Sequence, residues 1–229
     1  MTPSARAALV AASVVAGGLA VPPGVIATPL SAAGFGLFAV IGFAVWRWSR
    51  LPALVQPSAQ GGMTPFVRPV FWMALGLAVG LFFLAVMRLV IEPAVPAIGA
   101  RMAAAGALPV WRRAAIIYVA AVGEELIFRL FLLSVVAGIA TRLLRHQVPA
   151  TAVVWTAIGV SALLFAAAHL PAWSGASFAG VALPLAVVAL NAAGGVVLGR
   201  AFVYRGIVAA MWIHAGADCA IQLIGPLTG

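Results

Sequence analysis

The strongest constraint on the fold is a series of seven apolar segments, each long enough to cross a bilayer as a helix. Proline, glycine and arginine separate the segments, and a spanning helix needs about 20 mostly apolar residues. We therefore predict an all-α polytopic transmembrane helix bundle of about seven spans, within a range of six to eight. The segments cover roughly 5 to 21, 31 to 47, 69 to 91, 114 to 140, 151 to 170, 178 to 200 and 207 to 224.

The composition leaves no room for a separate soluble domain. Hydrophobic residues make up 65% of the chain and charged residues only 7%, whereas about a quarter of an ordinary soluble domain is charged. We therefore predict one integral membrane domain over residues 1–229, with the lipid bilayer as its solvent. The expected location is the cell membrane, as a multi-pass protein of the prokaryotic inner membrane.

The net charge of +9 comes from thirteen basic residues that are all arginine. Most of them flank apolar segments, so they indicate topology rather than a nucleic-acid partner. A cytoplasmic N-terminus would place eight arginines inside and four outside, and this excess favours that orientation. The inner group is Arg6, Arg47, Arg50, Arg68, Arg142, Arg145, Arg200 and Arg205, and the outer group is Arg88, Arg101, Arg112 and Arg113.

Four further features have simple interpretations. The first apolar segment follows Arg6 like a signal peptide, but its apolar continuation favours a retained span over a cleaved one. The stretch from Arg50 to Arg68 is rich in proline and glycine and is predicted to be a loop. The stretch from Glu92 to Arg113 is predicted to be a loop with a short interfacial helix. Cys219 is interpreted as a small buried hydrophobe rather than a catalytic thiol.

Most of the acids and histidines lie inside the apolar segments. The chain has four acidic residues and three histidines, and only Glu92 and His146 fall in predicted loops. A charged side chain at the bilayer centre costs about 2.5 to 3.5 kcal/mol, so such residues need a function or a partner. The five buried in apolar sequence are Glu124, Glu125, His169, His214 and Asp218.

The fourth segment contains adjacent glutamates with different expected environments. Glu125 and Arg129 are four residues apart, on one helical face and within ion-pair reach. Glu124 is rotated by about 100 degrees around the helix and is left free to face a cavity, where a carboxylate can accept a proton. The alternative is a polar clamp between helices that contains all three side chains.

Two further segments each add an imidazole. His169 ends the fifth segment after three alanines, which leave space beside its ring; alternatively it is an interfacial anchor. His214 and Asp218 in the seventh segment share a face at i, i+4. This spacing suits two ligands of one metal ion, or a carboxylate that orients an imidazole. A self-satisfied hydrogen-bonded pair is the alternative.

In this order, Glu124-Glu125-x-x-x-Arg129, Phe165-x-x-x-His169 and His214-x-x-x-Asp218 resemble the motifs of the CPBP (ABI) family of intramembrane proteases. That family includes the endopeptidases that remove the last three residues of prenylated CaaX proteins. The resemblance covers roughly residues 110–224, which we take as the catalytic core. The first hundred residues carry no signature.

The resemblance implies peptide-bond hydrolysis in the membrane by a water activated by Glu124 and His169. It places His214 and Asp218 near the substrate carbonyl, with Glu125 and Arg129 in support. Members carry asparagine or aspartate at position 218. An ionised aspartate only accepts hydrogen bonds, so it is better suited to orient His214 or to bind a metal.

The cofactor is left open between none and Zn²⁺, for which the possible ligands are His169, His214 and Asp218, with a metal-free glutamate mechanism slightly favoured. The expected partner is a membrane-associated protein or peptide substrate: a prenylated CaaX protein, a leader or sorting peptide, or a bacteriocin-related peptide. Two other functions compete with the protease. One is a transporter or proton-coupled carrier, although the chain shows none of the paired halves typical of transporters. The other is a non-catalytic membrane scaffold.

Overall fold

The computed structural model describes residues 29–51, 67–173 and 181–228, and these ranges form a bundle of seven helices without a β-strand. The all-α prediction is confirmed. The helices are α1 (Pro29–Ser49), α2 (Val67–Ile91), α3 (Ala97–Gly106), α4 (Val110–Leu143), α5 (Thr151–Ala168), α6 (Ala182–Arg205) and α7 (Ile207–Leu227).

Five of these helices, α2 and α4 to α7, are long and apolar enough to cross a membrane. The chain is therefore a multi-pass membrane protein. Helix α1 is also apolar, over the shorter range Gly34–Ser49. Helix α3 is the short helix predicted between the third and fourth segments. The predicted first span, residues 5 to 21, and most of the loop from Arg50 to Arg68 lie outside the described residues.

The predicted end of the sixth segment at residue 200 is wrong, because α6 continues to Arg205. Arg200 is exposed, and its guanidinium carbon lies 5.7 Å from the centre of the Tyr204 ring. A long arginine side chain can lie along the apolar surface of a helix and still reach a polar region. An arginine within an apolar stretch therefore does not by itself end a helix.

The two ends of the bundle carry very different charge. At the end where α1 and α4 finish, Arg50 Nη1 donates to the Gln147 carbonyl at 2.7 Å and Arg142 Nη2 donates to the Trp48 carbonyl at 2.7 Å. At the opposite end, Arg88 and Arg113 donate to carbonyls near the end of α7. The order of the helices places the described arginines at these two ends in the predicted groups; which end faces the cytoplasm stays a prediction, and Arg6 lies outside the described residues. The arginine-rich end comprises Arg47, Arg50, Arg68, Arg142, Arg145, Arg200 and Arg205.

Small residues bring the backbones of α2 and α7 into close contact. These helices run parallel, with Gly76 beside Ile213 and Gly80 beside Ala217. A methyl group added at Gly76 would overlap the Ile213 carbonyl, and one added at Gly216 would overlap the Met73 carbonyl. Such close approach is typical of packing in lipid, where helices associate by van der Waals contact that small residues permit. Helix α2 therefore packs directly against α7, the helix that carries His214 and Asp218.

Helix α4 changes geometry where its polar motif begins. It is α-helical over Val110–Glu124, π-helical over Glu125–Leu133 and α-helical again over Ser134–Leu143. π-Helical turns are rare and occur frequently at functional sites. A second π-helical segment, Ala220–Ile224, follows Asp218 in α7. These two segments therefore lie beside the residues that the sequence singled out, whereas a third, Met87–Ile91, lies at the end of α2.

Candidate active site

The adjacent glutamates of α4 occupy different environments. The side chain of Glu125 is fully buried, whereas that of Glu124 is 30% exposed. Helical rotation separates their directions, and the change from α- to π-helical geometry falls between them. Of the two glutamates, only Glu124 therefore combines a position in the cluster with access from outside the packed core.

Glu125 joins two helices through one carboxylate oxygen. Its Oε1 lies 3.3 Å from Arg129 Nη1, and both side chains are fully buried. The same oxygen lies 2.9 Å from Nδ1 of His214 on α7. The predicted ion pair is confirmed, and it has an additional partner that the spacing did not indicate. The carboxylate in hydrogen-bond contact with His214 is thus Glu125 rather than Asp218.

The other nitrogen of His214 faces two carboxylates. His214 Nε2 lies 3.7 Å from Glu124 Oε2 and 3.8 Å from Asp218 Oδ2. These distances are too long for direct hydrogen bonds and are those of charge contacts. The Asp218 side chain is 19% exposed and that of His214 only 7%. Two carboxylates, Glu124 from α4 and Asp218 from α7, therefore lie close to His214 Nε2.

His169 reaches the cluster from the end of α5. Its Nδ1 lies 2.8 Å from the Phe165 carbonyl oxygen, which can only accept, so Nδ1 carries the proton. In the neutral ring, Nε2 is then the basic nitrogen. The ring of His169 contacts the ring of Phe165, which also contacts the ring of His214. The structure thus brings together all four predicted catalytic residues, from α4, α5 and α7.

The aromatic ring of Phe165 packs against several side chains of this cluster. Its ring centre lies 4.6 Å from that of His169 and 6.1 Å from that of His214. The guanidinium carbon of Arg129 lies 4.4 Å from the same ring centre, a cation–π distance. Phe165 therefore contacts both imidazoles and the cation of the buried ion pair. The second motif predicted only a supporting role for Phe165, without these contacts.

Arg129 is held from a third direction by α6. Its Nη2 donates to the Gly195 carbonyl at 3.4 Å, and a methyl group added at Gly195 would meet Ala162 of α5 at 2.9 Å. No local spacing links these residues, so sequence reasoning missed the contact. The glycine lets α5 and α6 come close enough for the carbonyl to reach the guanidinium.

The donors available for a metal ion are limited by these contacts. Nδ1 is engaged by Glu125 in His214 and by the Phe165 carbonyl in His169, which leaves one Nε2 in each ring. Within residues 29–51, 67–173 and 181–228, no group of three or more His, Cys, Asp or Glu side chains is arranged to hold a metal ion. The predicted zinc ligands therefore do not form a preformed site there.

Comparison with known proteins assigns this cluster to a family. The family model for Type II CAAX prenyl endopeptidase Rce1-like proteins matches residues 106–220, half of the chain. The chain belongs to this family. Every residue of the cluster lies within the match, and the family supports a protease that acts on a peptide or protein in a membrane. No curated protein and no solved structure matches the chain significantly.

Proposed function

We propose that this chain is an intramembrane endopeptidase that cleaves a membrane-associated protein or peptide with a water activated by Glu124 and His169. One observation carries the proposal: Glu124, His214 and Asp218 converge around a single buried nitrogen, with Nε2 of His214 within 3.8 Å of both carboxylates. Three ionisable groups at one place between apolar helices are costly unless they serve a function. The catalytic core is the predicted range 110–224.

Glu124 is the proposed base. Because its carboxylate is partly exposed while Glu125 is committed to Arg129 and His214, Glu124 is the free proton acceptor. It takes a proton from water as the water oxygen attacks the peptide carbonyl carbon, and returns it to the leaving amine nitrogen as the C–N bond breaks. His169 accepts a hydrogen bond from the same water through Nε2. A positioned acid–base group of this kind contributes about 10²- to 10⁴-fold to rate.

His214 is the proposed stabiliser of the tetrahedral intermediate. With Nδ1 donating to Glu125, the imidazolium form of His214 carries a second proton on Nε2 and donates a hydrogen bond from it to the developing oxyanion. Asp218 cannot donate while ionised. Its place beside Nε2, at 3.8 Å, suits it to hold the imidazole and its charge instead. Glu125, paired with Arg129, fixes the direction of the His214 ring through its bond to Nδ1.

The family description suggests which substrates to test first. A prenylated C-terminal CaaX sequence is the first substrate to test, and an exported leader or sorting peptide is the second. Their cleavage sites lie on opposite sides of a cell membrane, so the orientation of the arginine-rich end separates them. Reporter fusions after residues 145 and 100, which lie at opposite ends of the bundle, would establish that orientation.

The test is cleavage of both peptide classes by purified protein in lipid nanodiscs. We expect His169→Ala and His214→Ala to lose most hydrolysis while still inserting and folding. His146→Ala is the matched control, because His146 is exposed in the turn between α4 and α5. Undiminished cleavage in both cluster variants would refute the proposed chemistry. Substrate transport without cleavage would instead favour a carrier, and neither activity would favour a scaffold.

A further inference from the structure

Ser161 connects the helix that carries His169 to the wide turn of α4. It is a buried residue of α5, and its hydroxyl donates to the Phe128 carbonyl at 2.6 Å. Phe128 lies within the π-helical segment Glu125–Leu133. This is a short, direct hydrogen bond between two helices, at a position outside the three motifs. In an apolar bundle, a hydroxyl bonded to a neighbouring helix fixes one helix against another.

The position of Ser161 on α5 places it in line with the site. Ser161, Phe165 and His169 follow one another at intervals of four residues, so they share one face of the helix. Along that face, Ser161 binds the Phe128 carbonyl, Phe165 packs edge-on against the Phe128 ring at 5.3 Å, and His169 contacts the Phe165 ring. A shift of α5 along α4 would therefore move Phe165 and His169 relative to His214, whose ring also contacts Phe165.

The carbonyl that Ser161 binds belongs to the least ordinary part of α4. Relaxing the π-helical segment to α-helical geometry would change the rotation between residues before and after it, since each helical residue contributes about 100 degrees. Glu125 begins this segment and Arg129 lies within it. A bond from a neighbouring helix to the middle of the segment stabilises the wide geometry in which Glu125 meets His214.

We infer that Ser161 is a positioning residue, which fixes α5 and the π-helical segment of α4 in the register that the water-activating groups require. It does not touch the reacting atoms. The inference rests on the proposed function where hydrolysis is the readout, and on the structure alone where backbone order is the readout. Small misplacements of catalytic groups lower turnover more than binding, because a displacement of 1 Å can cost up to about 10²-fold in rate.

The experiment compares Ser161→Ala, Ser161→Thr and Ser134→Ala. Ser134 is the matched control: it is also a fully buried serine, and its hydroxyl has no hydrogen-bond partner among the described residues. We expect Ser161→Ala to lower kcat roughly tenfold with KM changed less than about twofold. Ser161→Thr, which keeps the hydroxyl, should restore kcat to within about threefold. Ser134→Ala should match the unaltered protein.

Hydrogen exchange provides a second readout that needs no substrate. We expect the amides of Glu125–Leu133 to exchange roughly tenfold faster in Ser161→Ala than in Ser134→Ala, because the segment loses its anchor. Equal exchange and equal kcat in these two variants would overturn the inference. If Glu124→Gln abolished cleavage while Ser161→Ala did not reduce it, the proposed function would stand without this role. If no variant or parent cleaved any peptide, the exchange rates would still decide it.

Discussion

Two glutamate–arginine pairs with the same spacing of four residues have very different surroundings. Arg88 and Glu92, at the end of α2, lie 2.9 Å apart with side chains 17% and 28% exposed. Glu125 and Arg129, within α4, lie 3.3 Å apart and are fully buried. Both pairs involve a π-helical segment, Met87–Ile91 in the first case and Glu125–Leu133 in the second. Spacing and local geometry therefore do not distinguish a helix-end pair from part of a site.

The third partner makes the difference. We call Arg88–Glu92 the outer pair and Glu125–Arg129 the inner pair. Arg88 donates additionally to the Gly225 carbonyl at 2.8 Å, so the outer pair holds the end of α7 to α2. Glu125 binds Nδ1 of His214, so the inner pair sets the direction of an imidazole. One pair completes a helix terminus and the other orients a reactive side chain. We therefore expect substitutions at or beside the Glu125–Arg129 pair to affect both activity and stability.

The largest expected difference is in catalysis, between Glu124→Gln and Glu92→Gln. Removing the base beside the inner pair should lower kcat by about 10²- to 10⁴-fold. Removing the carboxylate of the outer pair should leave kcat within about twofold. Cleavage of a peptide substrate in nanodiscs measures both. Similar losses in the two variants would show that the outer acid, too, serves the reaction.

The next effect is on stability, between Arg129→Ala and Arg88→Ala. Deleting Arg129 leaves a buried Glu125 without its cation, and breaking a buried pair in this way costs about 3 to 5 kcal/mol. The partly exposed Arg88–Glu92 pair contributes about 0 to 1 kcal/mol, and Arg88→Ala loses in addition the hydrogen bond to the Gly225 carbonyl, worth about 1.5 kcal/mol. Unfolding in detergent micelles measures both differences. Equal destabilisation would mean that burial does not separate the two pairs.

A smaller effect is expected at a third pair with this spacing, His214 and Asp218 on α7. Asp218→Ala should lower kcat/KM roughly tenfold to 10²-fold, since Asp218 lies 3.8 Å from His214 Nε2 and two unit charges about 4 Å apart interact by about 1 to 4 kcal/mol between water and a protein surface. Asp218→Asn keeps the shape and adds a donor, so its kcat/KM should stay within about tenfold of the parent. Full activity of Asp218→Ala would remove this residue from the site.

The smallest effect is expected from a chelator. Incubation with EDTA should change the cleavage rate by less than about twofold, because Glu124 and His169 can activate water as proton acceptors. Addition of zinc should not raise the rate further. Loss of cleavage with EDTA and recovery with zinc would instead assign His169, His214 and Asp218 as ligands.

Local spacing predicted those parts of the site that lie within one helix. The Glu125–Arg129 pair, the separate direction of Glu124 and the shared face of His214 and Asp218 all follow from helical periodicity. The contact between Glu125 and His214 joins residues 89 positions apart, and no periodicity encodes it. The same is true of the bonds from Arg129 to Gly195 and from Ser161 to Phe128.

The fold was predictable to a similar degree. Apolar length identified the spanning helices because lipid requires each backbone to satisfy its own hydrogen bonds. The end of α6 was missed because an arginine at position 200 was taken as a boundary, whereas its side chain extends along the helix toward Tyr204. The wide turn in α4 was not predicted either. Its wide geometry accompanies contacts from α5, α6 and α7 that no local pattern encodes.

The close approach of α2 and α7 also determines where a substrate can enter. At Gly76 and Gly216 the two backbones are so near that even a methyl group would overlap. An extended polypeptide lies about 4.7 to 4.9 Å from a neighbouring strand, so it cannot pass between these helices unless they separate. The interface between α2 and α7 is thus closed to a polypeptide. Substrate must reach His214 and Asp218, and product must leave them, by a route that does not pass between these two helices.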